Sequence, residues 1–247
     1  MDNVKVITLL TELRDYYIEH EDLWDKTTSI EDRMFIYREL NCNVDRIQSM
    51  IDTLKEEVRK NNAKSSGKGN LYKGIMDLMS MSKGTIKENN LYGVFEAEGK
   101  DCVGYDYMIC SFQKGVLPDD LPICKIPKYI DAPSKWISPM RNTAKIKVDI
   151  PNLKSLKAEK KLNNEIASRG GDRKSRLVAI KVGDNNYKGF NVDNLIMARE
   201  IFGDMAEFYV TDNPLQAMYV KSDIGDGVIM PLNLKNVDFK KFIIPRI

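Results

Sequence analysis

The first third of the chain is patterned at helical spacing. Val6, Leu9, Leu10, Leu13, Tyr16 and Tyr17 predict a helix over residues 3–20. Ser29-Ile30-Glu31-Asp32 then opens a longer helix, with Ser29 as N-cap and acidic residues facing the helix dipole. Along it Leu40, Val44, Ile47, Ile51, Leu54 and Val58 step by four, three, four, three and four. That is an a/d seam with charged residues outside it. Ile30, Met34 and Tyr37 extend the stripe upstream, with one irregular step before Leu40. The two helices form an antiparallel hairpin, or the longer one pairs with a second copy as a coiled coil. A short connection favours the hairpin. Residues 1–62 are therefore read as a helical interaction module.

Residues 61–70 hold Asn, Ser, Gly and Lys with no large apolar side chain, and the segment 63–70 reads as a linker. Gly67-Lys68 is not a phosphate-binding loop. Asn62 stands where the motif needs Gly, and Gly69 follows the lysine. Leu71, Ile75, Leu78 and Met79 then predict a helix over 71–82. Strands follow at 85–87, 91–96 and 102–112, with turns at Asn89-Asn90 and Glu98-Gly99-Lys100. Five prolines in 115–142 (Pro118, Pro122, Pro127, Pro133, Pro139) argue against continuous helix or central strand. That segment is expected to be an extended connector, with Trp136 as its anchor, closing a unit over 71–142.

The last unit, 143–247, starts with an alternating strand over 145–150. Pro151 opens a helix over 152–167. Leu153, Leu156, Leu162 and Ile166 face its core side, and Lys154, Lys157, Lys160 and Lys161 face outward. A basic glycine-rich loop at 168–175 and a strand at 177–182 come next. Phe190 and Val192 mark a short strand. Asp193 is expected to cap a helix over 194–202, built on Leu195, Ile196, Ala198 and Phe202 and ended by Gly203. Strands at 206–211, 216–221 and 228–234 are separated by Asp212-Asn213-Pro214 and by a turn over 223–227. The tail 236–247 is amphipathic, suited to an edge strand or a partner contact. The class is α+β, and its helix-then-three-strands order occurs twice.

Composition removes most chemistry. The chain of 247 residues carries one histidine, and its four cysteines form no C-x-x-C pair. A Cys/His zinc site and imidazole base catalysis are thereby disfavoured, and Cys42, Cys102, Cys110 and Cys124 read as free thiols of a reducing cytoplasm. No apolar run is long enough to span a membrane. Asp101, Asp106, Asp119-Asp120, Asp223 and Asp226 fall in turns and charged strand ends, where acids are ordinarily solvated. The expectation is a protein without catalytic residues, metal or cofactor. Net charge is +2, yet residues 146–176 are rich in Lys and Arg. Such a segment can follow phosphate locally or form a solvated face.

Three motifs near the end form a series: Phe190-Asn191 with Leu195, then Val210-Thr211-Asp212, then Met230-Pro231-Leu232-Asn233-Leu234. Their order and spacing resemble the final domain of bacterial DNA sliding clamps, the β processivity factor family, with Asn233 where the family has arginine. The resemblance implies a sliding-clamp-like domain of βαβββ half-repeats after the helical hairpin or coiled coil. It implies a non-enzymatic, phage-like DNA replication accessory protein of the cytoplasm (the host's, if phage-encoded). Duplex DNA would be held without base readout by Lys154, Lys157, Lys160, Lys161 and Arg199. Short peptides of replication proteins would occupy a pocket formed by Met230, Pro231, Leu232 and Leu234. The chain is shorter than a three-domain clamp subunit, so a ring would need more copies, making a homo-oligomer. The alternative is an oligomeric scaffold with a degenerate clamp fold that does not encircle DNA.

Overall fold

The computed structural model describes residues 3–19, 30–82, 93–118, 121–124, 130–169, 176–183, 186–235 and 238–244. The expected features at Ser29, 85–87, Asn89-Asn90, Asp119-Asp120 and 170–175 lie outside these residues. The chain divides into two compact units, Met1–Gly69 and Asn70–Ile247.

The first unit is a pair of helices, α1 (Asn3–Glu19) and α2 (Ile30–Ser65). The seam is visible in burial along α2: Ile47 and Ile51 are buried, and Val44, Leu54 and Val58 are half-buried. α1 packs on α2 within the one chain, and Arg14 Nη1 donates to Gln48 Oε1 at 2.6 Å. The hairpin is thus the arrangement adopted. The expected linker is largely helical instead, because α2 runs on to Ser65. It ends at Gly67, whose φ of 75° lets the amides of Gly67 and Lys68 turn back onto the carbonyls of Lys64 and Ala63. That is a Schellman closure, and only glycine takes its left-handed position without strain.

The second unit opens with α3 (Gly69–Ser82), whose Leu71, Ile75, Leu78 and Met79 are all buried. Strands β1 (Phe95–Ala97), β2 (Lys100–Tyr105) and β3 (Met108–Phe112) follow as antiparallel neighbours. Glu98 and Gly99 both take positive φ, 53° and 73°, and make a two-residue turn matched to strand twist. The expected single strand over 102–112 is two strands, reversed at Asp106-Tyr107. Residues 133–143 are helical rather than extended: a π-helical turn Pro133–Ile137 runs into α4 (Ser138–Thr143). Pro133 sits in the first turn, where the missing N–H costs nothing, and Pro139 follows the π-helical turn.

Then come β4 (Ile146–Val148), α5 (Leu153–Arg169), β5 (Leu177–Val182), β6 (Asn186–Asn191), α6 (Val192–Phe202), β7 (Glu207–Val210), β8 (Met218–Lys221) and β9 (Gly225–Ile229). A short 3-10 turn, Phe239–Phe242, leads to β10 (Ile243–Ile244). The main sheet has seven antiparallel strands in the order β1-β2-β3-β9-β8-β7-β4. A smaller sheet has the order β10-β5-β6, so the tail does add an edge strand, parallel to β5. The β3–β9 pair joins early and late sequence in one sheet, and no boundary falls at 142/143.

The sheet buries both faces. On one, α6 packs over Tyr105, Phe112 and Phe208: Phe112 and Phe202 stack at 5.8 Å, and the Tyr105 hydroxyl donates to Asn194 Oδ1 at 2.6 Å. On the other, Ile109, Tyr219 and Val228 pack with Ile137 and Met140, and Trp136 anchors that cluster as expected. The predicted turn over 223–227 is partly strand. Gly225, Asp226 and Gly227 belong to β9, and a Cβ at Gly227 would stand 2.7 Å from the Ile109 carbonyl of β3. These glycines permit close strand approach rather than a reversal. No helix among the described residues is long and apolar enough to cross a membrane.

Candidate functional site

The lysine-bearing helix forms as expected, with its N-cap supplied by Asn152, whose Oδ1 accepts from the Ser155 amide at 2.9 Å. Leu156 and Ala167 face the core. Leu162 is 38% exposed, and the buried position belongs to Asn163, whose Nδ2 donates to the Leu177 carbonyl at 3.0 Å. A polar side chain is tolerated there because β5 offers it an acceptor.

α6 lies between α5 and α3 and is buried over nearly its whole length. Its cap is Asn191, whose Oδ1 accepts from the Asp193 amide, and not Asp193 itself. Asp193 instead pairs with Lys160 at 2.6 Å and Arg176 at 3.5 Å. Glu200, with a side chain 1% exposed, is reached by Lys157 from α5 at 2.9 Å and by Lys73 from α3 at 2.8 Å. Burial pulls the Lys73 ammonium down, but hydrogen bonds to Asp77 and Glu200 outweigh it and its pKa is raised. Close contact of α3 and α6 depends on Gly74, where a Cβ would lie 2.7 Å from Ile201 Cγ1.

The predicted DNA-contacting residues thus separate into three kinds. Lys154 and Lys161 are exposed and make no ion pair among the described residues. Lys157 and Lys160 are half-exposed and pinned by Glu200 and Asp193. Arg199 is a correction. It is 6% exposed, and its guanidinium donates to the carbonyls of Ile150, Pro151, Gly203, Asp204 and Ala206 while stacking 4.6 Å above Phe208. Burial lowers its pKa, yet arginine stays charged. It ties the start of α5 to the end of α6 and is not presented to a phosphate.

Sequence reasoning missed Lys73 and Arg176. With Lys157 and Lys160 they border a cleft of about 360 Å³ between α3, α5 and α6, facing two acids, Asp77 and Asp193. Lys73 shows in the sequence only an i,i+4 pairing with Asp77; its place beside Glu200 of α6 follows from the Gly74 contact. With Glu200 included, four cations meet three acids on this face, and each cation is paired with a carboxylate.

The four expected peptide-pocket residues are all half-buried. Met230 packs on the Trp136 cluster, while Leu232 and Leu234 lie along β6, where the Leu232 amide donates to the Gly189 carbonyl at 2.8 Å. Among the described residues no group of three or more His, Cys, Asp or Glu could hold a metal ion. Comparisons with family models, curated proteins and solved structures gave no match.

Proposed function

We propose that the chain is a non-enzymatic, sliding-clamp-like DNA replication accessory protein that holds duplex DNA by its phosphates. The observation that carries this reading is the α5–α6 pair on an antiparallel sheet, with the α5 lysines outward. Strand exchange supports it. β4 leads into α5 and pairs with β7, which follows α6; β6 leads into α6 and pairs with β5, which follows α5. Lys154 and Lys161 meet phosphate directly, and Lys157 and Lys160 add charge held in place by acids. In this reading partner peptides dock at Met230, Pro231, Leu232 and Leu234, several copies make the ring, and the protein works in the cytoplasm. Retention on nicked circular DNA tests it. The protein is expected to stay on the circle and slide off once the circle is linearised. Equal retention on both, or no binding to any DNA at low salt, would overturn it.

One observation favours the scaffold reading instead. α1 presents Leu9 (57% exposed), Leu13 (44%) and Tyr16 (56%) as a stripe at i, i+4 and i+7. A second copy seated there makes an oligomer with no need of DNA. The full chain should then be multimeric in solution and Leu9→Glu/Leu13→Glu monomeric. Wild-type protein that is monomeric at all concentrations contradicts this.

A further inference from the structure

The sheet face away from α3, α5 and α6 holds an open cavity of about 510 Å³ that the DNA reading does not use. Strands β2, β3, β7, β8 and β9 form its floor and α4 one side. At the bottom is Asp226, 6% exposed, where the sequence suggested a solvated turn acid. Its Oδ2 accepts from Arg141 Nε at 3.0 Å, from Arg141 Nη2, and from the Tyr219 hydroxyl at 3.1 Å. Its Oδ1 accepts no hydrogen bond and has only a long ion pair, to Lys100 Nζ at 3.9 Å. A buried carboxylate oxygen that accepts no hydrogen bond is costly, and native structures rarely leave one so without a use. Arg141 and Tyr219 fix the group in one orientation; the same hydrogen bond from Arg141 to Asp226 raises the arginine's pKa.

The rest of the cavity has a different character. Lys145 and Lys221 are exposed at its rim, and the lining holds four cations against two acids, Asp223 and Asp226. Tyr209 and Tyr219 stand in the wall with ring centroids 6.4 Å apart. An occupant must therefore bring an N–H donor for Asp226 Oδ1, a flat ring for the tyrosines and an anion for the lysines. The volume is that of a small-molecule site.

The geometry points to a binding site for a free mononucleotide, its base donating an N–H to Asp226 Oδ1 and its phosphate meeting Lys145 and Lys221. Arg141 and Tyr219 are positioning residues for the carboxylate. No bond is made or broken. Calorimetric titration of the full chain with GMP, guanosine and inorganic phosphate in turn tests it. GMP is expected to bind saturably, with guanosine and phosphate each weaker by about tenfold or more. Asp226→Asn and Lys145→Glu/Lys221→Glu should each weaken GMP by about tenfold or more. Absence of GMP binding, phosphate binding as tight as GMP, or unchanged GMP binding in the double lysine variant would overturn the assignment. The double variant lies wholly on the surface, so it decides the matter even if Asp226→Asn fails to fold. It also leaves the α5 lysines intact, so failure here and failure of DNA retention are separate results.

Discussion

α5 and α6 lie side by side, and both carry cations, yet they use them in opposite ways. α5 turns one face to solvent with Lys154 and Lys161 exposed. α6 is enclosed, and its one arginine is spent on five backbone carbonyls at the mouths of two loops. In a helix that is buried all round, a cation is structural. In one with a half-buried stripe, it is available. The acids repeat the contrast: Glu200 and Asp193 of α6 hold Lys157 and Lys160 of α5 at fixed positions.

Arg199→Met should break this contrast most severely. It leaves the buried carbonyls of Ile150 and Ala206 without a donor, and should cost about 3 kcal/mol or more of unfolding free energy in urea. Lys154→Met, by comparison, should change stability by no more than about 0.5 kcal/mol. A similar loss from both would mean that Arg199 is not structural. Gly74→Val comes next. The added side chain meets Ile201 and Glu200, and overpacking should cost about 1–3 kcal/mol. A neutral result would show that α3 approaches α6 less closely.

The effect confined to alkaline pH concerns Lys188 on β6. It is 1% exposed, with Nζ 3.3 Å from the Gln216 carbonyl and 3.5 Å from Thr211 Oγ1. Burial pulls its pKa from the ordinary 10.5 to about 8. Below pH 8 both folded and unfolded chains hold the proton. Between 8 and 10.5 the unfolded chain holds it and the folded chain does not, so this group raises stability as pH rises. Burial moves Cys102 up to about 11 and Tyr105 up to about 12, which acts in the opposite direction. The stability of wild type minus that of Lys188→Met isolates the lysine. That difference should climb across pH 8 to 10.5, and a flat one would refute a depressed lysine.

Elements fixed by period were legible. The α2 seam and the buried face of α3 each follow from local spacing. What escaped was set by partners distant in sequence. Asp106-Tyr107 reverses the chain without glycine, proline or an Asn-Gly pair, so β2 and β3 looked continuous. Gly225 and Gly227 resembled a turn because their reason, the backbone of β3, lies more than a hundred residues away. Asp226 looked solvated because Arg141 and Tyr219 reach it only in the folded sheet. The basic face was legible as a row of lysines, but its division into exposed, pinned and buried cations was not.

The most direct measurement is the salt dependence of duplex DNA affinity for wild type, Lys154→Glu/Lys161→Glu, and Lys145→Glu/Lys221→Glu. If the α5 face meets phosphate, reversing Lys154 and Lys161 should lower affinity uniformly across sequences and flatten the log–log salt slope by about 1 per lost contact. Reversing the lysines on the opposite sheet face should leave the slope near that of wild type. An unchanged slope in the α5 variant, or an equal loss in both, would contradict the account.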